Sequence, residues 1–317
     1  MKSYTFKTLV LSLVFALLAS CSAKKESSQS SELTKIKIGY IPIADCGQIF
    51  VAQDQEFFKK NGLDVELVKL SGGAKILEAL AGGSVDIAFS NVVSVMLANN
   101  AGLAFRPITG GPRTDSLHQE TGLLVLSESS IDTPNDLKGK KIAVNTKKNI
   151  VELFVLEFLE IHGLQETDLE FVEIPFPQMY QVLDSKNIDA AAVFEPFVTF
   201  SMQSGNVSNL GDYLIPVLSN LEISTYNASE SWISKNPETV ACFQKSIEEA
   251  SIYANNNRKE LERILTLFTS LNQEQLSQVV LPYYGDKVDA ASFGQILDLV
   301  KKRGWVQENL EASTILH

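Results

Sequence analysis

The chain has 317 residues, of which 45% are hydrophobic and 21% are charged, and its formal net charge is −11 at pH 7. Roughly 280 residues follow the N-terminal segments described below, too many for one typical domain and enough for two. The chain is acidic overall and contains no run of Lys or Arg, which argues against nucleic acid as a partner. A local binding site can still be positive on an acidic protein.

The first twenty residues have the pattern of an export signal. Lys2 and Lys7 precede an apolar run, Leu9 to Ala19, which would form a helix of roughly 16 Å, about half the thickness of a bilayer core. The run ends in Leu18-Ala19-Ser20-Cys21, which looks like a lipobox, so we expect a mature chain that begins at a lipidated Cys21. The alternative is an ordinary secretory signal with a cysteine nearby by chance. In that case the protein would reach the same compartment but would carry no lipid anchor.

Residues 21–34 are rich in Ser and Lys and nearly free of aliphatic side chains, which predicts a flexible tether. No later segment approaches eighteen uninterrupted apolar residues, so the remainder is expected to be a soluble body. Together these segments predict a protein on the extracytoplasmic face of the cell membrane, held there by a lipid anchor.

From Lys35 onwards short β-rich runs alternate with amphipathic stretches, a pattern that predicts βαβ units and parallel sheets. The first half contains predicted strands at 36–41, 65–70, 87–89 and 105–108, and predicted helices at 49–60, 74–80 and 92–99. The second half repeats the pattern with strands at 141–144, 169–174 and 190–194 and helices at 149–162 and 178–183.

Short sequence echoes support two lobes of similar design. Asn61-Gly62-Leu63 corresponds to His162-Gly163-Leu164 at the end of each first helix, where a glycine suits a residue with positive φ. Ser84-Val85-Asp86-Ile87-Ala88 corresponds to Asn187-Ile188-Asp189-Ala190-Ala191 before each third strand.

The remaining segments predict how the lobes are joined. Gly110-Gly111 and a strand at 122–126 indicate a crossing to the second lobe, and 222–226 indicates the return. Helices predicted at 237–255, 259–268, 273–280 and 290–302 are expected to pack back on the first lobe. We therefore divide the chain into a signal (1–20), a tether (21–34), lobe I (35–112), the hinge crossing with lobe II (113–221), and the return crossing with C-terminal helices (222–317).

The cysteines do not indicate a metal site. With Cys21 lipidated, Cys46 and Cys242 remain, and their separation offers no metal-ligand spacing. Two unpaired thiols is the preferred interpretation, with a disulfide as the alternative. No metal or cofactor is expected.

Five strings in order resemble one family, the type II periplasmic-binding-protein fold in the branch of sulfonate, taurine, nitrate and thiamine-precursor receptors. They are Ile38-Gly39-Tyr40-Ile41-Pro42, Phe57 to Glu66, Gly82 to Ala88, Leu137 to Asn145, and Val193-Phe194-Glu195-Pro196-Phe197. The resemblance implies an α/β protein of two lobes, a two-strand hinge and a ligand cleft between the lobes. It also implies an extracytoplasmic receptor, expected to be monomeric, that docks on the permease of an ABC transporter.

Ligands of open α/β sheets bind beyond the carboxyl ends of the strands. Five loops occupy that position, and they supply the predicted ligand-binding residues Asp45, Cys46, Ser71, Gly72, Gly73, Ser90, Asn91, Asn145, Thr146, Lys147, Asn149, Glu195 and Phe197. The glycines and the helix starts suit an anion, and Lys147 would add positive charge. A plain tight turn at Ser71 to Gly73 and a helix-start role for Glu195 remain open alternatives.

An enzyme is the rival class, because pyrimidine synthases of thiamine biosynthesis use the same fold. The chain lacks the cysteine-rich CCCFC stretch of that group's close receptors, and its three histidines lie outside the five loops, so the sequence predicts a binder without catalytic residues. An organic sulfonate is the favoured ligand. A thiamine-precursor pyrimidine, nitrate and bicarbonate are the alternatives.

Overall fold

The computed structural model describes residues 32–269 and 271–316. The predicted signal, the lipidation site Cys21 and the tether as far as residue 31 lie outside the described residues. Within the described ranges, no helix has both the length and the apolar character that a membrane crossing requires.

The strands and helices alternate along most of the chain, as predicted. The strands are β1 (Thr34–Tyr40), β2 (Leu63–Lys69), β3 (Ile87–Asn91), β4 (Phe105–Gly110), β5 (Pro112–Thr114), β6 (Thr121–Leu126), β7 (Lys141–Val144), β8 (Glu170–Glu173), β9 (Ala190–Phe194), β10 (Val207–Asn209), β11 (Leu221–Glu222), β12 (Ser224–Ser229) and β13 (Tyr283–Tyr284). The helices are α1 (Gly47–Asp54), α2 (Phe57–Lys60), α3 (Gly73–Ala81), α4 (Val92–Asn100), α5 (Ile150–Ile161), α6 (Phe176–Asp184), α7 (Phe197–Met202), α8 (Glu230–Lys235), α9 (Pro237–Asn256), α10 (Arg258–Phe268), α11 (Gln273–Leu276), α12 (Ala290–Lys302) and α13 (Ala312–Leu316).

Each lobe contains a five-stranded sheet with a parallel half. In the first lobe the order is β2-β1-β3-β12-β4, with β1 parallel to β2 and β3, and with β12 antiparallel to β3 and β4. In the second lobe the order is β10-β6-β9-β7-β8, with β7 parallel to β8 and β9. The parallel halves place the carboxyl ends of several strands at one edge of each sheet.

The sequence echoes have the same structural role in both lobes. Asp86 Oδ2 accepts a hydrogen bond from Lys37 N at 2.8 Å, and Asp189 Oδ2 accepts one from Lys141 N, also at 2.8 Å. Gly62 and Gly163 follow their helices with φ of 85° and 86°, a conformation that glycine adopts without steric cost. The repeated residues therefore reflect a repeated local structure.

Two element predictions were wrong in detail. The helix expected at 49–60 is broken at Glu56, whose φ of 57° turns the chain so that Phe58 stacks on Phe243 in the core, with ring centroids 6.1 Å apart. The run 122–126 is not a crossing strand. Its residues are buried on both faces because β6 is an inner strand of the second sheet, between β10 and β9.

The chain crosses between lobes at β5 and β11. These two strands pair with each other, and β13 from the C-terminal region adds to the other edge of β5. A side chain at Gly111 would collide with the backbone carbonyl of Ser224, so the crossing requires glycine there. The two-strand hinge is therefore present, reinforced by a third strand.

The C-terminal helices follow the first lobe, as expected, but one of them also reaches the second lobe. α9 and α10 pack on α1, and α12 packs on α4. Beyond the end of α12, Arg303 pairs with Glu157 and Glu160 of α5, and Lys302 Nζ lies 2.8 Å from Glu157 Oε2. An apolar core also runs continuously from α4 through α12 into the second lobe.

The remaining cysteines are unpaired. Cys46 is fully buried in the core of the first lobe, Cys242 is half-buried, and both thiols are free. This agrees with the preferred interpretation of two separate thiols.

Candidate functional site

Two neighbouring cavities lie between the lobes, at the carboxyl ends of the strands. The larger one, called the outer cavity, has a volume of about 810 Å³ and is lined by Ile41, Pro42, Ile43, Lys69, Leu70, Ser71, Pro175, Phe176, Pro177, Tyr180, Pro196, Phe197, Phe200, Ser201, Thr269, Leu271 and Gln275. The smaller one, called the inner chamber, has a volume of about 30 Å³ and is lined by Ile41, Ile43, Asp45, Gly73, Phe89, Asn91, Asn145, Asn149, Ile150, Val151, Phe176, Phe194, Ile223 and Ser224. Ile41, Ile43 and Phe176 border both.

The outer cavity is mainly apolar and aromatic. The second lobe contributes Phe176, Tyr180, Phe197 and Phe200, and the rings of Phe176 and Phe197 stack with centroids 5.9 Å apart. Lys69, which is exposed, is the cation among its lining residues. A volume in the range of about 300 to 1,000 Å³ with this lining is typical of sites for organic small molecules.

The inner chamber is lined by both polar and apolar side chains. The polar ones come from both lobes: Asp45, Asn91 and Ser224 from the first, and Asn145 and Asn149 from the second. A volume of this size holds about one water molecule or one small polar group. The chamber can therefore enclose a single functional group of a ligand whose remainder occupies the outer cavity.

The asparagines are fixed by local hydrogen bonds. Asn149 is the N-cap of α5, where its Oδ1 accepts from Val151 N and Glu152 N, and its Nδ2 donates to Asn145 Oδ1 at 2.7 Å. Asn91 caps α4 by accepting from Ser94 N at 2.9 Å. The bond from Asn149 uses the amide oxygen of Asn145, so the side-chain hydrogens of Asn145 remain free to contact a ligand.

Gly73 allows two elements of the first lobe to approach closely, and its neighbour Gly72 lies near the second lobe. A Cβ on Gly73 would lie 2.7 Å from Ser90 Oγ and 3.2 Å from its Cα, so the start of α3 contacts the end of β3 directly. A Cβ on Gly72 would lie 3.6 Å from Thr146 Oγ1 of the other lobe. Loops predicted separately for the two lobes thus meet across the cleft.

A buried pair of carboxyl groups lies beside the inner chamber. Asp45 is 3% exposed and Glu120, just before β6, is fully buried. Burial raises the pKa of Asp45 to about 7. The pKa of Glu120 is raised well above its usual range by burial and then by the neighbouring charges of Asp45, Asp212 and Glu195. Two ionised carboxylates can only accept hydrogen bonds, so a bond between Asp45 and Glu120 requires one shared proton.

Other predicted residues lie elsewhere. Cys46 faces the core of the first lobe, and burial raises the pKa of its thiol well above the usual value, so it does not reach the cleft. Lys147 is exposed, its backbone N–H donates to Glu173 Oε1 at 2.6 Å, and its side chain lines neither cavity. The structure therefore brings neither side chain to the two cavities, in contrast to the expectation from the sequence.

The carboxyl group of Glu195 is held by hydrogen bonds from within the protein. Its Oε1 accepts from Thr199 Oγ1 at 2.7 Å and Val280 N at 3.4 Å, and its Oε2 accepts from Thr199 N at 3.0 Å. It therefore secures the start of α7 and ties it to the C-terminal segment, which favours the helix-start alternative. Burial raises its pKa, although these three hydrogen bonds act in the opposite direction.

Comparisons with known proteins agree with this geometry. Residues 44–261 match the family described as NMT1/THI5 like. The chain belongs to this family. It is 29% identical over 255 residues to a putative ABC transporter periplasmic binding protein of Brachyspira hyodysenteriae, covering 77% of this chain and 71% of the relative.

Two further similarities bear on the NMT1/THI5-like assignment. The formylaminopyrimidine-binding protein of Halalkalibacterium halodurans is 21% identical over 337 residues, covering 98% of this chain and 97% of the relative. The aliphatic sulphonate binding protein SsuA of Escherichia coli has a TM-score of 0.72 at 22% identity, covering 89% of this chain and 97% of SsuA. The chain spans only 41% and 37% of the nitrate and bicarbonate ATP-binding proteins that it also matches.

These comparisons confirm the two-lobed periplasmic-binding-protein fold. The family and its similar structures are binding proteins of transporters, which confirms the prediction of a binder and not an enzyme. Among the described residues, no group of three or more His, Cys, Asp or Glu side chains is arranged to hold a metal ion.

Proposed function

We propose that this protein is the extracytoplasmic solute receptor of an ABC importer and that it encloses one organic solute between its lobes. The observation that carries the proposal is the two-part cleft, in which an inner chamber large enough for one polar group adjoins a large aromatic cavity. The relatives are named as binding proteins or components of ABC transporters, which supports the transport role.

The shape of the cleft favours an organic ligand over a small inorganic one. Nitrate and bicarbonate have four heavy atoms and no apolar part, so either would leave the aromatic walls of the outer cavity unfilled. Organic ligands bury such walls and gain free energy from the apolar area removed from water. A ligand with a polar head and an apolar body uses both compartments.

Sulfonates and aminopyrimidines are the two organic candidates, and the relatives include a receptor named for each. The sequence favours a sulfonate partly because Lys147 would neutralise it, but Lys147 lines neither cavity. Lys69, at the outer cavity, is the remaining cation for a sulfonate. The sulfonate proposal therefore depends on Lys69 and the pyrimidine proposal on the inner chamber.

The receptor function is tested by uptake. Compounds that raise the melting temperature of the purified protein are radiolabelled and supplied to the source strain and to a strain that lacks this gene. We expect uptake to fall to background in the deletion strain and to return with the wild-type gene. Equal uptake in both strains, for every compound that binds, would refute the transport role.

The lipid anchor is a separate proposal that rests on the Leu18 to Cys21 string. The Cys21→Ala chain should lose its acyl mass and leave the membrane fraction, because a thioether-linked lipid needs the thiol. Intact-mass analysis and cell fractionation measure this, with Cys242→Ala as the matched control that should stay membrane-bound. A wild-type chain without acyl mass would contradict the anchor.

A further inference from the structure

We infer that closure of the cleft takes up a proton, which is shared between the carboxyl groups of Asp45 and Glu120, so that pH controls the opening and closing of the lobes. The inference concerns the regulation of the proposed receptor site and rests on that function in one respect, namely that the lobes move relative to each other. It holds for any solute that the closed cleft encloses.

The two acids belong to different lobes. Asp45 lies in the short turn between β1 and α1 of the first lobe. Glu120 is fixed in the second lobe, where its backbone carbonyl accepts from Glu195 N at 2.7 Å and the strand that follows it, β6, pairs with β9. The two carboxyl groups are within hydrogen-bonding reach of each other. A rotation of one lobe away from the other therefore separates them.

The contact between these acids lacks a donor unless it holds a proton. Asp45 Oδ1 and both carboxyl oxygens of Glu120 are buried, and no hydrogen-bond donor of the described residues reaches them. Ionised carboxylates only accept hydrogen bonds, and a buried acceptor left unpaired costs free energy, more so when it is charged. A proton on Glu120 turns one of these oxygens into a donor to Asp45. The closed contact is therefore favourable in its protonated form.

The surroundings of the pair are acidic or neutral. The titratable groups around it are Cys46, Tyr226 and Tyr284 from the first lobe and hinge sheet, and Glu195, Asp212 and Tyr213 from the second lobe. Arg258, which acts on Tyr284, is paired with Glu262 at 2.6 Å. Among the described residues that line the inner chamber there is no Lys, Arg or His. Neighbouring negative charge and burial both favour the protonated pair.

The pH dependence of closure has a definite direction. Burial raises the pKa of Asp45 to about 7, and burial together with the neighbouring acids raises the pKa of Glu120 well above its usual range. When the lobes separate and water reaches both groups, their pKa values should return towards the ordinary carboxyl value of about 4. The closed form therefore binds more protons than the open form, and this advantage is complete below about pH 4. It is lost as the pH rises through about 7 for Asp45 and further for Glu120.

The size of the effect follows from the number of protons. With one proton taken up on closure, the ratio of closed to open protein should fall about tenfold for each pH unit in this window. A solute that binds the closed form draws on the same equilibrium, so its affinity should weaken with rising pH by a similar factor. The amide hydrogens of Asn145 remain available to the solute in either protonation state of the pair.

Small-angle scattering of the purified, ligand-free protein tests the inference between about pH 5.5 and pH 8.5. The radius of gyration of the wild-type protein should increase with pH as the closed fraction falls. In Glu120→Gln, the side-chain amide can donate to Asp45 without a titrating proton. The radius of this variant should therefore stay at the closed value throughout the range.

Two further variants make the test specific. Asp45→Asn keeps the shape of the carboxyl and can donate to Glu120, so its radius should also be independent of pH. The matched control is Glu222→Gln, because Glu222 is likewise buried and its pKa is raised to about 7, but it accepts from Gly111 N and Asp289 N within the hinge. This control should keep the wild-type dependence on pH. Circular dichroism at each pH verifies that every variant is folded.

The outcomes are distinct. A wild-type radius that is constant across this range would overturn the inference, and so would the wild-type dependence retained in both Glu120→Gln and Asp45→Asn. A dependence lost in Glu222→Gln and retained in Glu120→Gln would place the titrating group in the hinge and would also overturn it. None of these results decides the receptor function, which the uptake experiment tests at one pH through transport of a bound compound.

Discussion

At the residue scale, several acids among the described residues are buried without a side-chain cation in hydrogen-bond contact. Asp45 and Glu120 form one pair beside the cleft, and Glu222 lies in the hinge, 1% exposed. Glu222 Oε2 accepts from Asp289 N at 2.9 Å and its Oε1 accepts from Gly111 N at 3.3 Å, yet burial still raises its pKa to about 7. Each of these acids is more easily ionised in the unfolded chain than in the folded one.

These raised pKa values predict that the folded protein becomes less stable as the pH rises. Between about pH 4.5 and 7 the folded protein binds more protons than the unfolded one through Glu222, so the free energy of unfolding should fall as pH rises through that window and level off above it. At about 1.4 kcal/mol per pKa unit, Glu222 alone should contribute roughly 3 kcal/mol to that fall in the free energy of unfolding. Asp45 and Glu120 act in the same direction.

Glu222→Gln should therefore flatten the pH dependence. Urea unfolding at pH 5 and pH 8 should show a smaller loss of stability in the variant than in wild type, whatever constant offset the amide introduces. Glu78→Gln, an exposed position on α3, is the control and should keep the wild-type slope. A wild-type stability that rises between pH 5 and 8 would contradict the raised pKa values.

How far the sequence predicted the site depends on the residue. Gly73, Asn91, Asn145 and Asn149 follow strand ends and precede helices, so their convergence was predictable, although their contact with a ligand stays a prediction. The sequence did not predict Glu120 as a site residue because it precedes an antiparallel strand and does not follow the carboxyl end of a parallel one. Its position beside the site becomes evident only from its neighbour Asp45 in the other lobe. A contact between residues 75 positions apart leaves no local pattern.

At the element scale, the helices that matter for the cleft are anchored at both ends. α5 begins at the inner chamber with the Asn149 cap. Near its other end Glu157 and Glu160 pair with Lys302, the last residue of α12, and with Arg303, which follows it. Glu157 and Arg303 are both nearly buried, with side-chain exposures of 7% and 9%. This ion-pair cluster connects the second lobe to a helix that packs on the first.

Breaking this cluster should be costly because a buried charge loses its partner. Glu157→Gln should lower the free energy of unfolding by on the order of 2 kcal/mol, less than the full cost of an isolated buried charge since Glu160 still contacts Arg303. Chemical denaturation measures it. Glu78→Gln, which breaks the exposed Lys75–Glu78 pair, should change stability by at most a few tenths of a kcal/mol. Equal effects of the two substitutions would argue against the cluster as an interlobe contact.

The elements themselves were largely predictable, and the exceptions have physical causes. Alternating or apolar runs such as 36–41 and 190–194 predicted strands because burial imposes those patterns. The run 122–126 has the apolar pattern of an inner strand, but a sequence pattern does not state which sheet the strand joins. The break at Glu56 depends on packing of Phe58 against a helix nearly two hundred residues later.

At the scale of the whole molecule, the lobes are connected by more than two crossing strands. The hinge sheet of β5, β11 and β13 is supplemented by α12, its ion pairs with α5, and an apolar core that continues from one lobe to the other. A packed interface allows small sliding displacements more readily than wide opening. We therefore expect closure by a modest rotation.

Small-angle scattering measures that rotation. With a saturating ligand, the scattering profile should match the structure described above, in which Gly72 and Thr146 approach across the cleft. Without ligand, the radius of gyration should be slightly larger, and a ligand shifts this equilibrium only by its differential affinity for the closed state. The combined variant Glu157→Gln with Glu160→Gln should widen the ligand-free form further. A profile unchanged by saturating ligand would exclude closure.

The division of the cleft into two compartments also separates two kinds of evolutionary change. Side chains of the inner chamber are caps and buried acids that the fold itself needs, so their replacement carries a stability penalty. The outer cavity is walled by partly exposed residues such as Phe200 and Leu271, whose replacement disturbs little else. Substitutions in the outer cavity should therefore change the size of the ligand body that the cleft accepts at little cost in stability, whereas substitutions in the inner chamber should weaken folding and binding together.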